Sequence, residues 1–225
     1  MQLAAPSFLA DLAEIVLLTI RVTGVALAAA TLLGVPVGAL MAFSRFPGRR
    51  LLVAVIYTGM GLPPVVVGLV VYLALSRSGP LGTLGWLFTP AAMTVAQTVI
   101  ALPLVIGLTM TGLEAVDPQL RLQLRALGAD RRQESWAMLG EARSAVIAAV
   151  VAGFGGIISE VGAAMLVGGN IEGQTRVLST AIVLGTRMGE YSLALALGGI
   201  LLALAFLVNI VFIRLQHRPP WWLGR

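Results

Sequence analysis

DPQLRLQLRALGADRRQESWAMLGEAR, residues 117–143, is the longest polar interruption in a chain that is otherwise almost all apolar. Its pattern is that of two short helices joined at a glycine. Asp117 is placed to cap the first helix, with Pro118 at the first helical position, where a missing N–H costs nothing. Leu120, Leu124 and Leu127 recur at i, i+4 and i+7 and share one face. Arg121 and Arg125 share a neighbouring face. Gly128 stands where a helix end takes a residue that tolerates positive φ. After Ala129, Asp130 caps a second helix, and Gln133 three residues on completes a capping box. A compact, basic, amphipathic helix pair between two apolar stretches is suited to docking a soluble protein.

The flanking composition says where this pair sits. Of 225 residues, 58% are hydrophobic and 11% charged, and the mean hydropathy is +0.96. No soluble domain carries that much apolar surface, so the chain is read as an integral membrane protein. There is no cysteine and one histidine, His217, so neither a disulfide framework nor a thiolate or histidine metal cluster is expected. All 15 basic residues are arginine. A P-loop needs a lysine to reach nucleotide phosphates. If ATP drives this protein, a different subunit must bind it.

Five apolar stretches are long enough to cross a bilayer, which takes about 20 helical residues. They run over Ile15–Phe43, Leu51–Leu75, Phe88–Leu113, Ser144–Val167 and Tyr191–Ile213. The predicted fold class is therefore all-α and polytopic, one permeating unit over 1–225. Arg176–Leu184 is too short to cross and is expected to be an interfacial or re-entrant helix, or the start of the last span. The N-terminus lacks a basic stretch and carries Asp11 and Glu14, so no cleavable leader is expected. Eleven of the fifteen arginines fall between spans one and two, between spans three and four, or after span five. By the positive-inside rule this puts the C-terminus and residues 117–143 in the cytoplasm and the N-terminus outside. Because the arginines lie in loops, where orientation explains them, nucleic acid is not an expected partner.

These features resemble the permeases of ABC importers. That family carries a cytoplasmic loop with the pattern EAA, three residues, then Gly-Ala, and later Leu-Pro. Here Leu127-Gly128-Ala129-Asp130 matches the centre, and Trp136 and Met138 fall where bulky residues are common. Leu122-Gln123-Leu124 replaces EAA and Gly140-Glu141 replaces Leu-Pro, so the loop is a divergent one. SEVGAAMLVGGNIEGQTRVLSTAIVLGTRMGEYSLALAL, residues 159–197, is similar to tungstate permeases of the TupB type and, more distantly, to molybdate permeases of the ModB type. Gly61-Leu62-Pro63-Pro64-Val65-Val66-Val67-Gly68-Leu69 resembles both. The likeness runs from about Thr19 to about Val208.

The resemblance implies a MetI/ModB-like permease fold of about five spans, working as a homodimer around one pore in a bacterial or archaeal cell membrane. Two copies of a cytoplasmic ATPase, holding ATP and Mg, would dock below, and an extracytoplasmic oxyanion-binding protein above. The chain itself would bind no cofactor. Leu120, Leu124 and Leu127 would then be buried in the ATPase cleft or against the membrane ends of the spans. Arg121, Arg125 and Arg132 would pair with an acidic rim on the ATPase. Gly128 would set the angle between the two helices, with Ala129, Asp130 and Trp136 completing the coupling surface.

Four further features are candidates for the path itself. Glu160 is the one carboxylate inside the expected hydrocarbon region, and a charge there costs about 3 kcal/mol or more. It repels an oxyanion, so its expected work at a gate made with Ser159 and Gly162 is to accept hydrogen bonds from Ser159, from nearby backbone amides or from an arginine such as Arg21. A protonated interface residue without a moving part is the alternative, and Arg21 can equally snorkel to the interface. Pro63 and Pro64 must break or kink span two, which is tolerated where backbone is buried in protein or lines a cavity. Asn170 and Arg176 lie at the turn after span four and are candidates for the outer mouth. Thr94, Gln97 and Thr98 could offer hydrogen-bonding groups from span three.

A self-contained secondary transporter predicts inverted repeats and midplane coupling charges; no internal repeat is evident and Glu160 stands alone. A membrane enzyme predicts a metal motif or a Ser/His pair within a span, and neither is present.

Overall fold

The computed structural model describes residues 6–216, with side chains from residue 10 onward. His217, Arg218 and Arg225 lie outside the described residues. Among the described residues every regular element is helical: α1 (Pro6–Phe43), α2 (Arg49–Met60), α3 (Pro64–Leu75), a 3-10 turn (Gly82–Leu84), α4 (Pro90–Glu114), α5 (Pro118–Ala126), α6 (Arg131–Glu141), α7 (Arg143–Ile158), α8 (Gly162–Gly168), α9 (Leu178–Arg187) and α10 (Tyr191–Gln216).

Three helices, α1, α4 and α10, are each long and apolar enough to cross a membrane. The other two expected spans are both broken, span two where Pro63 and Pro64 predict it and span four where a continuous helix was expected. Span two is broken at Gly61–Pro63, and α2 and α3 are bent by 103°. Pro64 is the first residue of α3, where its missing N–H leaves nothing unsatisfied. Span four, expected to be continuous from Ser144 to Val167, ends as α7 at Ile158 and resumes as the seven-residue α8. No proline lies at this second break. The chain leaves the helix at Ser159 and Glu160 and restarts on the Glu160 carboxylate.

Long α1 and α4 form the central pair. Their approach is close: a Cβ on Gly38 would sit 2.7 Å from the Ile106 carbonyl oxygen, so only glycine allows it. Small residues at helix contacts are what membrane packing favours, since lipid supplies no hydrophobic drive between helices. The main core gathers Val22, Ala26 and Ala30 from α1, Val67 and Val71 from α3, Ala92, Met93 and Ala101 from α4, and Ile157, Ala163 and Val167 from α7 and α8. Both halves of the broken span two follow α4. Glu114, at the end of α4, pairs with Arg49 at the start of α2, and Gly107 faces Met60. At the other end Tyr72 of α3 meets Phe88 edge-on, with ring centroids 6.3 Å apart.

The segment Arg176–Leu184 does not cross. Most of it is α9, ten residues or about 15 Å of helix, half the hydrocarbon thickness. It is not the start of the last span, because Met188–Glu190 separate it from α10. Leu178, Thr180 and Ala181 are buried, and the Leu178 N–H donates to Thr19 Oγ1 of α1 at 2.9 Å. Helix α9 is thus a short helix packed against α1. By contrast α10 buries little on this chain: Leu195, Leu202 and Phe206 are exposed.

Candidate coupling hairpin and gate

Helices α5 and α6 form where the capping pattern places them. The Asp117 side chain accepts from the Gln119 N–H at 2.8 Å, with Pro118 following it. Helix α5 closes in a Schellman motif: the Ala129 N–H donates to the Leu124 carbonyl and the Gly128 N–H to the Arg125 carbonyl, both at 3.0 Å. Gly128 has φ +84°, the left-handed conformation this ending requires. Asp130 then accepts from the Gln133 N–H at 2.8 Å while Gln133 Oε1 accepts from the Asp130 N–H at 2.9 Å, a complete capping box. Two of the orphan donors of α6 are satisfied reciprocally.

The two helices are clasped by a residue the sequence reading missed. Glu134 is only 4% exposed, and its carboxylate takes Arg121 Nε on one oxygen and Arg125 Nε, at 2.9 Å, on the other. The Arg125 hydrogen bond holds the Glu134 carboxyl below the usual carboxylate range; burial pushes it the other way, and Arg121 adds to the lowering. Arg121 also lies over the Phe43 ring, 5.0 Å from its centroid. Arg121 and Arg125, expected at a partner's acidic rim, thus pair with Glu134 within the hairpin. Arg132 is exposed and makes no ion pair among the described residues. The signal for Glu134 was its place one turn into α6, opposite Arg121 and Arg125 across a tight turn.

The leucine stripe also divides. Leu120 packs against Ala39, Leu113, Met138 and Ala142, the membrane ends of α1 and α4 and the inner face of α6. Leu124 is half-buried. Leu127, expected to share their burial, is 85% exposed, because it forms the end of α5 as the chain turns away at Gly128. With Leu122 and Trp136, each 65% exposed, it leaves the otherwise polar hairpin with three exposed apolar side chains. Ala129 is half-buried beneath the turn.

The second site is where the two breaks meet. A Cβ on Gly68 of α3 would sit 2.6 Å from the Ala163 Cα of α8, and one on Gly162 would run into Val65. The two half-helices thus touch backbone to backbone just beyond Pro63-Pro64 and Ser159-Glu160. Glu160 Oε1 accepts from the Ala163 N–H at 2.9 Å, and the Glu160 carbonyl accepts from Ser179 Oγ of α9 at 2.9 Å. Of the expected donors to its carboxylate, the backbone amide is the one found; Arg21 is exposed and forms no ion pair with it. Ser159 is exposed and its hydroxyl donates back to the Gly155 carbonyl. Pro63 is exposed and Pro64 half-buried.

The three polar residues suggested for span three make their hydrogen bonds within the chain. Gln97 is buried, and its Nε2 donates to the Ile157 carbonyl at 3.3 Å, bracing the end of α7. The Thr94 and Thr98 hydroxyls turn back to the Pro90 and Thr94 carbonyls. At the turn after α8, Asn170 takes φ +53° and Arg176 pairs with Glu172 at 3.3 Å. Thr175 Oγ1, wholly buried, ties the turn by accepting from Ile171 N–H at 2.9 Å and donating to the Gly168 carbonyl at 2.5 Å.

Three-quarters and more of the chain, residues 34–218, matches the family described as binding-protein-dependent transport system inner membrane component. The chain belongs to this family. As a family member it is a permease subunit of an ABC transporter. It is 41% identical over 219 residues to a probable anion ABC transporter permease protein of Haloferax volcanii, covering 95% of this chain and 94% of that one. It is 40% identical over 211 residues to the tungstate uptake system permease protein TupB of Peptoclostridium acidaminophilum, covering 94% and 92%. Its fold is similar to that of a chain in inward-facing structures of the MetNI methionine ABC transporter, with a TM-score of 0.79 at 19% identity, covering 95% and 98%. The family permease fold with broken spans and a polar hairpin is thus the one the sequence resemblance implied.

Proposed function

We propose that this chain, as a homodimer, forms the membrane path of an importer for tungstate-class oxyanions. The observation that carries the cargo is the 40% identity, over nearly the whole of both chains, to a permease of a tungstate uptake system. The path is supplied by an extracytoplasmic oxyanion-binding protein and driven by two copies of a cytoplasmic ATPase, which hold the ATP and Mg. The N-terminus lies outside and the C-terminus in the cytoplasm. Support for this sidedness is that Arg45, Arg49, Arg50, Arg121, Arg125, Arg131 and Arg132 gather at one end of the helices, where Arg49 also pairs with Glu114.

The ATPase docks on the exposed apolar side chains of the hairpin, Leu122, Leu127 and Trp136, together with Arg132. An exposed tryptophan and two exposed leucines on a polar element have the composition of an interface. Leu120, Leu124, Arg121, Arg125, Ala129 and Asp130 shape and hold the hairpin, and Gly128 sets its angle. The gate lies at the paired breaks, where Pro63 and Ser159-Glu160 leave helical geometry and Pro64 and Gly162 resume it. Glu160 is spent on the start of α8: its carboxylate accepts from the chain's own Ala163 amide and holds the helix restart in place. Asn170 and Arg176 face the binding protein at the outer mouth.

The test is uptake. Cells deleted for this chain should lose tungstate accumulation and recover it on complementation. Loss of sulfate uptake alone, with tungstate and molybdate unchanged, would overturn the cargo; loss of molybdate alone would reassign it within the class. Vesicles holding only this chain should transport nothing until the ATPase is added, and transport without it would overturn the coupling.

A further inference from the structure

A groove of about 610 Å³ opens between the end of α1 and the hairpin, on the side away from Leu122 and Trp136. On α6, Arg131, Glu134 and Ser135 line it, while Trp136 is two residues from Glu134 and so lies on the opposite face. Arg45, Arg121, Arg125 and Arg131 against the single carboxylate of Glu134 leave it strongly positive. Arg121 and Arg125 are committed to Glu134. Arg45 and Arg131 are exposed and form no ion pair among the described residues. The remaining wall is mainly apolar: Pro36, Ala39, Leu40 and Phe43 of α1, with Ser44 after them. This wall does not stop at the groove. Leu33, Val37 and Leu40, at i, i+4 and i+7, continue it along α1 as an exposed apolar track.

A positive mouth at the end of a membrane helix, leading into an apolar track along that helix, matches one kind of molecule. We infer that the groove binds an anionic phospholipid, with the phosphodiester headgroup between Arg45 and Arg131 and an acyl chain along Leu40, Val37 and Leu33. Basic pockets at this depth are suited to such headgroups. A free phosphate would use the arginines and leave the track unused. The site therefore links the hairpin and the first span through a lipid, and is independent of the cargo.

The full chain, purified in detergent, is titrated with phosphatidylglycerol, phosphatidylcholine and inorganic phosphate, and bound lipid is counted by native mass spectrometry. Phosphatidylglycerol should be retained in preference to phosphatidylcholine. The double variant Arg45→Gln, Arg131→Gln should bind phosphatidylglycerol about 25-fold more weakly, at about fivefold per arginine near an anionic lipid. Leu40→Asn, which keeps every arginine and serves if the double variant melts early, should lower lipid retention and leave phosphate binding unchanged. Equal retention of the two lipids by the unaltered chain, or undiminished phosphatidylglycerol on the double variant, overturns the site. Displacement of the lipid by inorganic phosphate at equal concentration overturns the lipid as its occupant.

Discussion

The hairpin α5–α6 and the paired breaks of α3 and α8 are both departures from regular helix, held by opposite means. The hairpin is secured locally. Its caps, its Schellman ending and its Glu134 clasp all lie between Asp117 and Glu134. The breaks are secured from a distance: Gly68 against Ala163, Gly162 against Val65, and Ser179 to the Glu160 carbonyl. On the proposed function, a docking element that keeps its shape while its surroundings move gains from local bonds, and a gate that answers to other helices has its geometry written in contacts between them.

This contrast can be broken most severely at Gly68. Gly68→Val puts a side chain into the α8 backbone and should cost about 3 kcal/mol, seen as a lowered melting midpoint of the purified chain together with lost uptake. The hairpin should be untouched, so retained ATPase co-purification by the folded fraction separates the two regions. Glu134→Gln is the next largest. It strands two guanidiniums, but these are 33% and 59% exposed, so solvent reduces the loss to about 2 kcal/mol. Hydrogen exchange should show α5 and α6 loosened and α3 and α8 unchanged.

The same residue predicts a pH dependence. A carboxyl held below its ordinary range in the folded state stabilises that state at neutral pH. That stability is lost as pH falls through the folded-state value. Exchange protection of the hairpin should be flat above the ordinary carboxylate range and decline below it, and Glu134→Gln should lack the decline. Gly128→Ala sharpens the comparison at smaller cost. A left-handed alanine loses about 1 kcal/mol, confined to the hairpin and read by the same exchange. Trp136→Ala is the smallest for stability, within about 0.5 kcal/mol for an exposed site. It should nevertheless weaken ATPase co-purification; unchanged co-purification would remove Trp136 from the interface.

The same division explains what could be read beforehand. Both hairpin helices, Asp117, Gly128 and the Asp130–Gln133 box were legible because each signal spans no more than four residues. The break at Pro63-Pro64 was legible because proline acts on its own neighbourhood. The break at Ser159–Val161 was not, since no residue there forbids helix; it exists because α9 supplies Ser179 and α3 supplies a surface fitted to Gly162. Gln97 was misread for the same reason. A polar residue in a span faces a path or an interior carbonyl, and only the position of Ile157 decides. Glu134 was missed because a charge in a polar loop resembles any other until its burial is known.

The elbow between α6 and α7 has one further consequence. A single residue, Ala142, separates the helices, and they meet at 66°. Leu120 and Met138 press the hairpin against α1 and α4, and Arg49 straps the end of α4 to the start of α2. In mechanical terms the proposed function makes the hairpin a crank rather than a plug. A tilt of α6 turns α7 through a joint too short to absorb it, while the same displacement loads the neighbouring helices in parallel. Slack introduced at Ala142, and not any change of docking surface, is what would uncouple the crank from the helices it turns.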